Sequence, residues 1–73
     1  SICLVIEGPR ASEIIMAGCP LDLNQFAVGR ATRTIYETVE IIILREAEDR
    51  FHVEVWRSFS AWLWTAMTTA ARH

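Results

Sequence analysis

Val39-Glu40-Ile41-Ile42-Ile43-Leu44-Arg45, then Glu46-Ala47-Glu48-Asp49-Arg50, then Phe51-His52-Val53-Glu54-Val55-Trp56-Arg57: this stretch decides the fold. Its first block is rich in β-branched residues and reads as a central strand. The second block is a charged turn. The third alternates with period two, so Phe51, Val53 and Val55 point one way while His52, Glu54 and Trp56 point the other. Two such strands joined by a short polar turn make an antiparallel hairpin.

Upstream, Arg30 to Tyr36 is Thr-rich and alternating, which adds a further strand. Pro20 to Phe26 reads as a connecting loop with apolar anchors. Ile2-Cys3-Leu4-Val5-Ile6 is a continuous apolar run and predicts a strand buried on both faces. Gly8-Pro9 ends that strand and opens a helix over 9–18, with Ala11, Ile14, Ile15 and Gly18 on one stripe. Gly18 is expected in the left-handed position after the helix, with Pro20 blocking continuation. Downstream, Ser58 is expected to cap a final helix, with Phe59, Trp62, Leu63, Ala66, Met67 and Ala70 on its core stripe. Trp64 falls off that stripe, and the tail from Thr68 to His73 is expected to fray.

The order is therefore β-α-β-β-β-α, an α+β fold with an antiparallel sheet and both helices on one face. Ile42, Leu44 and Trp56 should lie on the opposite face, where this chain offers nothing to cover them. The 73 residues make a single small domain, 1–73, with a thin core. The hydrophobic fraction is 52% and the mean hydropathy is +0.24, high for so small a domain. That surplus, with Trp56, Trp62 and Trp64, points to a buried interface. Trp62 is assigned to the core. Trp56 and Trp64, with Ile42 and Leu44, are the candidate partner interface.

Other functions find little support. The net charge is −2 and the seven basic residues are all Arg, with no basic stripe, so no nucleic-acid partner is expected. No apolar run approaches the ~18–20 residues of a membrane span, and no signal peptide is evident, so a cytoplasmic location is expected. The chain starts without Met and runs straight into an apolar strand, so an upstream part is expected to be missing. Cys3 and Cys19 read as small buried hydrophobes, with no disulfide or metal framework. No base–nucleophile pair is legible around His52, which reads as solvent-facing or hydrogen-bonded. Glu46, Glu48 and Asp49 lack cation-loop spacing. Gly8-Pro9-Arg10 reads as a strand–helix turn, and Asp22 as a residue that hydrogen-bonds its own loop. No catalytic, cofactor-binding or metal-binding residue is assigned.

The run Gly8-Pro9-Arg10-Ala11-Ser12-Glu13, followed by Gly18-Cys19-Pro20-Leu21-Asp22-Leu23, resembles the gamma-subunit family of heterotetrameric sarcosine oxidase. Arg57-Ser58-Phe59-Ser60-Ala61-Trp62-Leu63-Trp64 is similar to the segment that closes that family's domain. Gly29, Thr34 and the Val39–Leu44 strand keep the family's order between them. The resemblance implies part of a fold akin to the glycine cleavage T-protein, an aminomethyltransferase, with this sequence matching the later core of a longer domain. It also implies a structural, non-catalytic subunit of a flavoenzyme complex that oxidatively demethylates sarcosine or a related N-methyl amine. FAD, FMN, NAD, folate and zinc would sit in partner subunits, and the direct partner would be a large flavoprotein subunit. Two other readings stand beside it. One is a stand-alone folate or small-ligand module using Arg10, Asp22 and Arg33; the other is a homodimeric interaction protein.

Overall fold

The computed structural model describes residues 1–72. Its elements are β1 (Ile2–Glu7), α1 (Ala11–Met16), a 3-10 turn (Leu23–Gln25), β2 (Ala31–Tyr36), β3 (Val39–Ala47), β4 (Arg50–Val55) and α2 (Arg57–Ala71). The four strands form one antiparallel sheet in the order β1-β4-β3-β2. The predicted class and element order are those observed. One face of the sheet carries Ile41, Ile43, Phe51, Val53 and Val55, and it packs against Ala11 and Ile15 of α1 and Leu63 and Met67 of α2.

The central hairpin follows the alternation read from the sequence, although Ala47 and Arg50 extend its strands into the predicted turn. The alternation of Val39, Ile41 and Ile43 carries on to Arg45, which therefore lies on the core side, just before a register shift between Arg45 and Ala47. Its guanidinium donates to the carbonyls of Leu23 at 2.8 Å, Phe26 at 2.7 Å and Glu48 at 2.8 Å. It also lies over the Phe51 ring, 5.1 Å from the centroid. A buried arginine survives because its fixed fork of donors is met by several carbonyls at once. Here it ties the 3-10 turn to the sheet.

Several expectations need correction. β1 is an edge strand with one neighbour, and it alternates between half-buried and exposed residues. Both helices lie on one face, so Cys3 and Val5 face outward, and only Cys19 is buried. The first helix spans six residues rather than ten, and Arg10 occupies its N-cap position. Gly18 does not have a positive φ; Gly8 and Gly29 do. What requires glycine at 18 is the Tyr36 ring, since an added Cβ would lie 2.6 Å from its Cε1 and Cζ atoms. Ser58 does not cap α2: the N-cap position is Trp56, and no side chain caps it. α2 runs through Ala71, so the predicted fraying does not hold there, while His73 lies outside the described residues.

Trp62 and Phe59 remain 41% and 45% exposed, against the expected core role. α2 has 15 residues and its helical neighbour α1 has six, so much of its flank is bare.

Tyr36 and Gly18 close the far end of the core. The Tyr36 hydroxyl donates to the Ile14 carbonyl at 3.1 Å. The Glu37 N–H donates to the Gly18 carbonyl at 2.6 Å. Gly18→Ala is expected to cost about 1–3 kcal/mol through overpacking against the ring, read as a lower urea midpoint at unchanged slope.

Burial pushes the Tyr36 phenol above its ordinary value of 10.0, and the charges of Glu37 and Cys19 add to the effect. The folded state therefore holds this proton more tightly than the unfolded chain. Stability attributable to it is complete below pH 10 and is lost as the pH climbs through the raised value. Tyr36→Phe is expected to flatten that alkaline loss in pH-dependent melting, while costing about 1 kcal/mol at neutral pH for the lost hydrogen bond.

Candidate functional site

Pairing register places side chains in rows across the uncovered sheet face. One row runs Cys3, Glu54, Ile42, Arg33; the next runs Val5, His52, Leu44, Ala31. Ile35 and Glu40 pair at one end, and Glu7 and Arg50 at the other. Val5, Ile35, Ile42 and Leu44 are all exposed, and on the two inner strands Ile42 and Leu44 stand beside Glu54 and His52. The rim of the face is held by ion pairs: Arg33 with Glu40 at 3.7 Å, and Arg50 with Glu7 at 3.1 Å and Glu46 at 3.0 Å. Exposed apolar side chains within a charged rim are a feature of protein interfaces.

Two shallow grooves cross this face. One is lined by Ile42, Leu44, Cys3, His52, Glu54 and Ser1. The other brings Ile42 beside Trp56, Arg33 and Glu40. Three of the four predicted interface residues thus share one surface, with Trp56 66% exposed at its end. Trp64, 56% exposed, stands apart on α2 in the helical layer.

The three polar residues considered for a small ligand stand in different places. Arg10 pairs with Glu13 at 3.0 Å and donates to the Ala71 carbonyl at 2.8 Å, joining the start of α1 to the end of α2. Asp22 accepts from the Asn24 N–H at 3.0 Å, the loop role read from sequence. Arg33 lies on the outer sheet face.

The outer face also holds a juxtaposition the sequence did not reveal. Cys3 Sγ lies 3.7 Å from His52 Nδ1, and His52 Nε2 contacts the Glu46 carboxylate. The expectation of no base beside a nucleophile is thereby corrected. Cys3 and His52 are distant in sequence, and only the β1–β4 register brings them together. Among the described residues, no group of three or more His, Cys, Asp or Glu side chains is arranged to hold a metal ion. None of the helices there is long and apolar enough to cross a membrane.

A family model, "Sarcosine oxidase, gamma subunit family", matches residues 2–73. The chain belongs to the sarcosine oxidase gamma subunit family. A solved structure titled heterotetrameric sarcosine oxidase from Corynebacterium sp. U-96 in complex with pyrrole 2-carboxylate contains a chain of the same fold. The match has a TM-score of 0.80 at 30% identity and covers 93% of this chain. It spans only 38% of that longer chain. No curated protein matches.

Proposed function

We propose that this gamma-family chain is a non-catalytic structural subunit, docking through its outer sheet face onto a large flavoprotein subunit of a sarcosine oxidase-type complex. The observation that carries this reading is the family match along residues 2–73, joined to an exposed apolar sheet face centred on Ile42 and Leu44. Large exposed apolar patches are uncommon on monomers and mark association surfaces. On this reading the complex oxidatively demethylates sarcosine or a related N-methyl amine. The other subunits carry FAD, FMN, NAD, folate and zinc. The chain is the later core of a longer T-protein-like domain, and the assembly works in the cytoplasm.

The test is affinity purification of the tagged chain from cells that also express the flavoprotein subunit, followed by native mass measurement. A hetero-oligomer with bound flavin is the expected result. A stable monomer, or a complex of equal chains, would overturn the proposal.

A further inference from the structure

The exposed Cys3 thiol, the His52 imidazole and the Glu46 carboxylate stand in series across three strands of the outer face. The tautomer that satisfies both contacts carries its hydrogen on Nε2, donated to Glu46, and leaves Nδ1 to accept from the thiol. Glu46 is in turn held by Arg50, and Arg50 by Glu7. Nucleophile, base and orienting group are thus in the order that activates a nucleophile. A groove walled by Ile42 and Leu44 opens beside the sulfur. Glu54, the register partner of Cys3, lines the same groove and forms no ion pair among the described residues. A carboxylate there favours a cationic reagent.

We propose that Cys3, His52 and Glu46 form a thiol-exchange site for small disulfides that carry an ammonium group. The Cys3 S–H bond breaks, and its proton passes to His52 Nδ1. The sulfur's electron pair attacks one sulfur of the disulfide, whose S–S bond breaks as the Cys3–S bond forms. The departing sulfur leaves as a thiolate and takes the proton back from His52. Cys3 is oxidised, the departing half is reduced, and no other oxidant is needed. Glu46 acts through His52 as a positioning residue. The site stands independently of the docking proposal but shares its surface, so docking shields the thiol and the exchange belongs to the undocked chain.

The probe is cystamine, added to the full chain at neutral pH without reductant, and adducts are located by peptide mass. Cys3 is expected to gain one cysteamine group while the buried Cys19 stays free. His52→Asn, and His52→Gln as a second variant, should slow the reaction about 100-fold, the low side of what a positioned base contributes. Glu46→Gln should slow it less, with the deficit closing as pH rises, a response that a merely structural role does not give. The anionic disulfide dithiodiglycolate should react more slowly than cystamine. Equal rates in wild type and both His52 variants, or faster labelling at Cys19, would overturn the site. Repeating the reaction on the chain captured by its flavoprotein partner separates the two proposals. Protection supports both. Equally fast labelling there sinks the docking face and leaves the thiol site standing.

Discussion

Replacing Arg45 with methionine is expected to lower the stability of the fold by about 3 kcal/mol, or more. Arg45 is 8% exposed, and its guanidinium supplies hydrogen bonds to the carbonyls of Leu23, Phe26 and Glu48. Methionine keeps most of the stem's packing and removes every donor. Water can reach the Glu48 end, since that side chain is 84% exposed. Leu23 and Phe26 are buried: the Phe26 carbonyl loses the arginine in a dry environment, and the Leu23 carbonyl is left with the Phe26 N–H alone at 3.2 Å. A buried carbonyl left without a partner costs about 1–3 kcal/mol. The gain from no longer burying a charge offsets part of that cost. A domain of this size holds roughly 4–11 kcal/mol in all, at ~0.05–0.15 kcal/mol per residue. The loss is therefore a large share of the total. Urea denaturation followed by Trp fluorescence measures it. Arg45→Lys should recover less than half, because one ammonium cannot match the fork. A change within about 0.5 kcal/mol for Arg45→Met, the usual range for surface sites, would show that the arginine does not hold the loop.

The second large effect concerns association. The double substitution Ile42→Asp with Leu44→Asp is expected to weaken capture of the flavoprotein subunit at least about 100-fold, near 2.7 kcal/mol. Both residues are exposed in the free chain, on adjacent rows of the outer face. Their replacement leaves the core untouched, so the melting temperature should move little. Docked, two carboxylates would be stripped of water where Ile42 and Leu44 now offer apolar contact, and Arg33 beside position 42 is already paired with Glu40. Trp56→Ala should act in the same direction, since buried tryptophans dominate many interfaces. Titration of the partner by fluorescence anisotropy gives the affinity. Unchanged binding by a folded double variant would remove this face from the interface, and Trp64→Ala would then test the helical layer.

The parts of this molecule that were legible in sequence are those whose signal is local. Val39–Val55 declares its hairpin through alternation, and Ile42 and Leu44 declare an uncovered face because the core side is fixed by Ile41, Ile43 and Val53. Other features depend on a neighbour that the sequence does not name. Ile2–Ile6 has the composition of a buried strand, but its place at the sheet's edge is set by pairing with β4. Phe59 and Trp62 fall on a helical stripe, but α1 is too short to cover them. Gly18 looks like a helix terminator until Tyr36 is seen lying over it. Arg45 looks like the polar end of a strand, although it sits in phase with Ile41 and Ile43, and only the loop carbonyls packed over it show why it can point inward. Cys3 and His52 become neighbours only through the β1–β4 register.

That same register fixes the order in which the chain can assemble. Glu37-Thr38 and Glu48-Asp49 each close a hairpin between strands adjacent in sequence. Ile2, by contrast, finds its partner at Val55, on the far side of everything else. Closing so long a loop is entropically the slowest of the pairings. β2, β3 and β4 can therefore zip together while β1 waits. Until β1 docks, Phe51 and Val53 lie along an open strand edge that invites wrong partners. Of these four strands, the one that leaves a ribosome first is the last to find its place.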